Sequence, residues 1–380
     1  MSSFIERIKA KARGQSKRIV LPETEDDRTL RAAASVLADR TAIPVLLGDE
    51  AEVKAAADRL GVSLEGASFV NPADPARAAD ADRYAALLAQ LRAKKGMTFD
   101  AAKALILGDR LPYGIMMVKA GDADGLVSGA CHTSADMLRP ALQIIRTAPG
   151  RKVASIAFMF DIPDSTFGEN GVILCADCAL MQDPTPEELA EIGAESAESF
   201  ERLVGAPAKV AFLCHSTKGS AHHPFVDKVQ AAVRIARERY PDVCLDGELQ
   251  LDAAIVPEIG ASKAPGSPVA GHANVLIFPN LEAGNIGYKL IQRIGKAEAY
   301  SFLQGMALPV NDVSRGCGVD ELAGIITLTA VQALARGYAP GAAKIGMGGG
   351  FGCFPPMPLT GRCARARLRG RGRGAKEYGA

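Results

Sequence analysis

Short runs of apolar, β-branched residues alternate with longer amphipathic stretches along most of the chain. The runs RIVLP (18–22), AIPVLL (42–47), DGLVSG (124–129), VASIAFMF (153–160), GVILCA (171–176), KVAFLC (209–214), AAIV (253–256) and NVLIF (274–278) read as strands. None alternates cleanly between apolar and polar, which predicts parallel strands covered on both faces. Between them the spacing predicts helices over 27–39, 81–95, 185–203 and 223–240, after an amphipathic helix in MSSFIERIKAKARGQSKR. In PTPEELA, Thr185 is placed to cap, with Pro186 at the first helical position and Glu187 and Glu188 behind it. Strands alternating with helices predict open α/β sheets. Pro149 and Gly150 in TAPGRKVAS break a helix before a new strand, marking a boundary, and the apolar stretch 319–335 predicts a core helix that stops at Gly337.

A chain of 380 residues is long for one domain and fits two. Its 48% hydrophobic and 23% charged residues fit a globular protein with a sizeable core. The net charge of +1 is unevenly placed: residues 336–380 carry +8, leaving −7 on residues 1–335. That last stretch, rich in Gly, Pro and Arg without periodicity, is expected to be disordered. Its RGR repeats alone bind polyanions weakly and salt-dependently, so no nucleic-acid partner is expected. No apolar run approaches the roughly eighteen residues of a membrane span, and the opening residues lack the apolar core of a secretory signal. Eight cysteines without framework spacing suit reduced thiols and a cytoplasmic location. Cys175 and Cys178 have CxxC spacing but no second pair, and read as small buried apolar side chains rather than a zinc site.

Several chemistries lack their motifs. There is no GxxxxGK[ST], no GxSxG, and no GxGxxG between a strand and a helix; GMGGGFG (346–352) runs into Pro355 and Pro356 instead. What recurs is a small, polar turn after a strand. ADGLVSGACHTSADMLRP (123–140) supplies Ser128, Gly129, His132, Thr133 and Ser134, with Arg139 about one turn further on. Free N–H groups and hydroxyls there suit an anion, phosphate above all, and an arginine adds a bidentate grip. Ordinary capping by Thr133 or Ser134 explains the same residues. CHSTKGSAHHP (214–224) repeats the theme, and PNLEAGNIGYK (279–289) reads as a third polar loop, with Asn285, Gly287 and Lys289. Together the three turns point to a phosphorylated ligand. PVNDVSRGCGVDELAG (309–324) is the densest stretch: Ser314 and Arg315 in a loop, then Asp320 and Glu321 in a first helical turn, where the helix dipole favours acids.

The chain resembles the phosphate acetyltransferases from about residue 3 to 335. In order, it carries RIVLPETEDDRTLRAA, LRAKKGMT, ADGLVSGACHTSADMLRPALQII, GVILCADCAL, STKGSA, DGELQLDAA, KAPGSPVAG, NVLIFPNLEAGNIGYKLIQR and LQGMALPVNDVSRGC. The resemblance implies two α/β domains with mostly parallel sheets and a cleft between them, an architecture like that of isopropylmalate dehydrogenase. The corresponding division is 1–149 plus 303–337, 150–302, and a 338–380 tail. It implies a homodimer and reversible acetyl transfer between acetyl phosphate and coenzyme A, giving acetyl-CoA and phosphate, with no tightly bound cofactor and no metal. In the implied mechanism a carboxylate takes the thiol proton of coenzyme A, and the thiolate attacks the acetyl carbonyl directly. By motif, Ser314 hydrogen-bonds at the reacting centre and Arg315 offsets charge on phosphate and carbonyl oxygens. Glu321 is the base by register, with Asp320 beside it as the alternative. Arg92 and Arg139 match arginines that bind coenzyme A or the acyl phosphate, and Ser128, Thr133 and Lys289 complete the expected binding set. Ser301 and Phe302 stand where this family usually has Gly-Pro. A butyryl-transferring relative and a silent acyl-CoA-sensing relative are the competing readings. Proton transfer from a thiol to an ordinary glutamate is uphill by roughly 6 kcal/mol, and a helix N-terminus is expected to widen that gap.

Overall fold

The computed structural model describes residues 3–164 and 166–334; the predicted stop at Gly337 and the 338–380 tail lie outside the described residues. The strands are β1 Arg18–Leu21, β2 Ile43–Leu47, β3 Ser68–Val70, β4 Gly125–Ser128, β5 Ser155–Asp161, β6 Val172–Ala176, β7 Val210–Leu213, β8 Leu245–Leu249, β9 Val275–Ile277, β10 Glu298–Gln304 and β11 Val310–Asp312. They form two sheets of α/β type. The first has the order β11-β4-β1-β2-β3 and the second β10-β5-β6-β9-β7-β8.

Every pairing in the first sheet is parallel. In β1, Ile19 and Leu21 face one apolar core while Val20 faces another, so both faces are covered. That is why its sequence shows no polar alternation. The second sheet is mixed. β5 runs antiparallel to both β10 and β6, although its VASIAFMF run has the same unbroken apolar character as the parallel strands. Its two faces also enter two cores, Ala157 and Met159 on one and Ile156, Phe158 and Phe160 on the other. Two-sided burial, not strand direction, writes the apolar run.

The predicted helices form at Asp27–Ala38, Ala78–Arg92, Pro186–Val204, Pro224–Arg239 and Val319–Leu334, with Phe4–Ala12 opening the chain. Thr185 builds a full capping box: its hydroxyl accepts from the Glu188 N–H at 3.3 Å, and its own N–H donates to the Glu188 carboxylate at 2.7 Å. Two expectations fail. AAIV is the end of a short helix, Leu251–Ile255, followed directly by another that starts at Pro257. PNLEAGNIGYK is not a loop. Asn280 caps a helix from Leu281 to Lys289 by accepting the Ala283 N–H at 3.0 Å.

The two sheets meet at β10 and β11. The Asn311 side chain of β11 accepts the Leu303 N–H of β10 at 2.8 Å and donates to Thr329 and Gln332 of the final helix, each at 2.7 Å. One residue further, the Ser301 hydroxyl of β10 donates to the Asp312 carbonyl at 3.0 Å. All these groups except Gln332 are buried, so the seam is fixed by hydrogen bonds that water does not compete for. No described helix is long and apolar enough to cross a membrane.

Candidate active site

The chain leaves β11 at Asp312 and enters a tight turn. The Val313 N–H donates to the Ser128 carbonyl of β4, and the Cys317 N–H closes the turn on the Ser314 carbonyl, both at 2.9 Å. Ser314, Arg315 and Gly316 are exposed at its tip, while Cys317 is buried beneath them. The geometry therefore presents a hydroxyl and a guanidinium above the carboxyl end of a parallel sheet, where α/β folds place their ligands.

A second loop rises beside it, from the end of β4 to the Ser134–Ile144 helix. Here the anion expected from sequence is already present as part of the protein. The Glu23 carboxylate accepts the N–H groups of Gly129, Ala130, Cys131 and His132 at 2.8–2.9 Å, and lies 2.7 Å from His132 Nδ1. Burial disfavours its charge, but these donors win and hold it below the usual carboxylate range. Those four N–H groups are thus not free for phosphate. Thr133 does what capping demands: its hydroxyl accepts from the Asp136 N–H at 3.2 Å and lies 2.6 Å from the Asp136 carboxylate. Ser134 is left exposed at the helix entry.

Arg28 joins the two loops. Its guanidinium donates to the carbonyl of Ala130 at 3.1 Å, to those of Arg315 at 2.7 Å and Cys317 at 3.0 Å, and to Asp26 at 2.6 Å. Glu23 and Arg28 both belong to PETEDDR, a stretch quoted for its resemblance but given no role by sequence reasoning. An acid and a base just beyond a buried strand were the available signal.

Between the loops and the second sheet lies a cavity of about 330 Å³. One wall is polar, with His132, Ser134, Asp312, Ser314 and Arg315; the other has Ile156, Phe158, Ala179 and Tyr288. Phe158 and Tyr288 stack at 4.3 Å between ring centroids. Polar groups facing an apolar wall suit a small, charged molecule with an apolar end.

The sequence-predicted residues distribute unevenly around it. Ser314 and Arg315 line the cavity. Ser128 is buried just behind, with its hydroxyl unpartnered. Lys289 lies on a helix rather than a loop; it donates to Asn285 at 2.6 Å and sits 5.5 Å from the Tyr288 ring, whose side chains line the cavity. Arg139 is exposed on the Ser134–Ile144 helix, Arg92 ends the Ala78–Arg92 helix, and neither lines this cavity. Glu321 is half-buried in the first turn of the final helix and also lies outside the cavity wall, whereas Asp320 is exposed. Burial raises the Glu321 pKa, against an opposing effect of Arg293 and the Gly318 N–H. The helix N-terminus was expected to lower it; desolvation is the larger effect. The Cys317 thiol is pushed up to about 11, first by burial and then by Glu321, which keeps it protonated. Among the described residues no cluster of three or more His, Cys, Asp or Glu side chains is placed to hold a metal.

The model of the Phosphate acetyl/butaryl transferase family matches residues 3–330. The chain is 52% identical over 332 residues to the phosphate acetyltransferase of Thermoanaerobacterium thermosaccharolyticum, covering 87% of this chain and 99% of that one. The enzyme of the same name from Acetivibrio thermocellus is 48% identical over 332 residues, covering 87% and 98%. Among solved structures, a phosphotransacetylase from Streptococcus pyogenes superimposes with a TM-score of 0.80 at 41% identity, covering 87% of this chain and 98% of that one. A branched-chain phosphotransacylase from Enterococcus faecalis, at 17% identity and a TM-score of 0.61 over 83% and 99% of the two chains, shares the fold. With its full-length relatives, the matching sheets and the Ser314–Arg315 turn at their junction, the chain belongs to the phosphate acetyl/butyryl transferase family.

Proposed function

We propose that this chain transfers an acetyl group reversibly between acetyl phosphate and coenzyme A. The observation that carries the reading is the cavity itself. Its polar wall brings Ser314 and Arg315 opposite an apolar wall small enough to hold a short acyl group. The phosphate is assigned to the side of Ser134, Ser314 and Arg315. Arg315 offsets charge on the phosphate and carbonyl oxygens, as a guanidinium fork does well. Ser314 hydrogen-bonds at the reacting carbonyl. The thiolate attacks directly, without an acyl-enzyme, in keeping with the protonated Cys317.

Glu321 takes the thiol proton. Its raised pKa narrows the roughly 6 kcal/mol gap between a thiol and an ordinary glutamate. Asp320, exposed in the same turn, lacks that desolvation. Arg92, Arg139 and Lys289 are assigned to coenzyme A, whose phosphates and adenosine extend beyond so small a cavity. Ser128 and Thr133 support the phosphate side through their loop. The reading includes two lobes, 1–149 with 303–337 and 150–302, that close over bound substrates. It also includes a homodimer in the cytoplasm, with no tightly bound cofactor.

The test is thioester formation from acetyl phosphate and coenzyme A, with propionyl and butyryl phosphate measured alongside. A kcat/KM highest for the acetyl donor is expected. Preference for butyryl phosphate transfers the assignment to the other activity in the family name, and tight acyl-CoA binding without turnover marks a sensor.

A further inference from the structure

The acyl transfer proposed above needs a second proton carrier. As the thiol loses its proton, the C–O bond to phosphate breaks. The departing group is strongly basic unless it is protonated as it leaves.

Asp312 is the carboxyl placed to do this. It ends β11 in register with Ser128 of β4, lies in the polar wall of the cavity two residues before Ser314, and is 7% exposed. Room for it is made by a glycine: Gly129 has φ +119°, and a Cβ there would stand 2.5 Å from Asp312 Oδ1. That oxygen has no hydrogen-bond partner, and the Ser128 hydroxyl beside it has none either. Buried polar atoms without partners are costly, and a carboxyl so placed at a cavity wall is spared that cost in part by keeping its proton.

Its surroundings favour the neutral acid. β4 offers Ser128, β10 offers Ser301, and the helix opposite offers Ser134; all three are hydroxyls. The charged groups are the Glu23 carboxylate beneath the loop, His132 with Nδ1 committed to Glu23 and Nε2 3.9 Å from Asp109, Asp136 beyond Thr133, and Arg315 at the turn. Burial, with Glu23 adding to it against the Ser134 hydroxyl, pushes the Asp312 carboxyl up to about 7. It is therefore partly protonated at neutral pH, as Glu23, lowered by its donors, is not.

We propose that Asp312 is the general acid of the transfer, giving its carboxyl proton to the departing phosphate. The assignment rests on the acetyl phosphate reading. A sulfur lone pair forms the S–C bond, and the electrons of the C–O bond pass to the phosphate oxygen. The thiol proton goes to Glu321, the Asp312 proton goes to that oxygen, and exchange of one proton between the two carboxyls through solvent restores the site. In the reverse direction ionised Asp312 takes the proton of the attacking phosphate.

The experiment compares wild type with Asp312→Asn in the thioester-forming direction from pH 5.5 to 9, using acetyl phosphate and acetyl phenyl phosphate. Phenyl phosphate leaves as a stable dianion and needs no proton. With acetyl phosphate, Asp312→Asn is expected to lose about 10²–10³-fold in kcat at pH 6, within the range for general acids. The ratio of wild type to variant should then fall about tenfold per pH unit above the apparent pKa near 7. With acetyl phenyl phosphate the two proteins should agree within a few fold. A pH-independent ratio, or an equal loss on both donors, assigns Asp312 a purely structural role and overturns the proposal. If the variant does not fold, wild type alone decides, since its falling limb must vanish with acetyl phenyl phosphate. A wild type that makes no thioester from acetyl phosphate defeats the functional reading itself, a result distinct from all of these.

Discussion

Arg28 holds Arg315 by its backbone: the Arg28 guanidinium donates to the Arg315 carbonyl at 2.7 Å, leaving the Arg315 side chain free to face the cavity. The same guanidinium reaches the Cys317 and Ala130 carbonyls and the Asp26 carboxylate. One planar fork thus fixes the Ser314–Arg315 turn and its neighbouring loop relative to each other. A lysine at position 28 keeps the charge but cannot span four acceptors in this geometry. Arg28→Lys is therefore expected to lower kcat by about one to two orders of magnitude, with little change in melting temperature. The loss is positional, a displacement of about 1 Å being enough for such an effect. Steady-state kinetics beside a thermal melt checks it; an Arg28→Lys enzyme with wild-type kcat would show that the turn holds itself.

Glu321 and Asp320 are separated by their exposure. Glu321→Gln is expected to reduce kcat by about 10²–10⁴-fold, the usual worth of a general base, and Asp320→Asn by less than about threefold. Both variants keep their side-chain length and shape, so folding is not in question. Reversal of the two effects would place the base one residue earlier.

Much of this arrangement was legible in the residues, and the misses have identifiable causes. Apolar runs located the strands with large two-sided burial, while three-residue β11, reading VND, was invisible as a strand because Asn311 and Asp312 are both polar and both buried. β8 is similar: LDGEL buries Asp246 and Glu248. Asp246 is matched by Lys218, Arg237 and Ser267, partners that only the fold brings together. The helix at Leu281–Lys289 reads in sequence as a polar loop with Asn285, Gly287 and Lys289, and it carries two glycines, Gly284 and Gly287. Both are packing glycines; a Cβ on Gly284 would lie 2.2 Å from the Asp177 carbonyl, and one on Gly287 3.0 Å from the Phe278 ring. The Ser314–Arg315 turn was found because its residues are chemically distinctive. Glu23 and Arg28 were given no role because the loops they hold lie about 100 to 290 residues away in the chain.

In the proposed acetyl transfer, Phe158 bounds the acyl end of the cavity. It stands in the apolar wall, stacked on Tyr288. Phe158→Leu opens that wall while keeping it apolar. Each added methylene in such a pocket is worth about 1–3 kcal/mol of discrimination, so the butyryl-to-acetyl ratio of kcat/KM should rise by at least about tenfold. Competition between the two donors in one reaction measures the ratio directly. An unchanged ratio would assign acyl length to a different wall.

Asp312 is also a stability liability that can be read by titration. Its folded pKa is raised from the ordinary 3.8 to about 7, because ionising it inside the seam costs desolvation. The sign follows from linkage. Below about pH 4 the carboxyl is neutral in both folded and unfolded chains and costs little. Between pH 4 and 7 the unfolded chain releases the proton while the folded one keeps it, so unfolding becomes progressively easier. The full penalty is reached above the folded pKa and amounts to roughly 4 kcal/mol at most. Asp312→Asn removes the ionisation but keeps the shape. The variant is therefore expected to match wild type near pH 4 and to be more stable than wild type at pH 8, by up to a few kcal/mol in urea unfolding. The same substitution is expected to slow acyl transfer. A protein that gains stability by losing an ionisable group beside the Ser314–Arg315 turn reveals a site built for chemistry rather than for folding. An Asn variant no more stable than wild type at pH 8 would mean that Asp312 is already ionised and solvated in the folded chain.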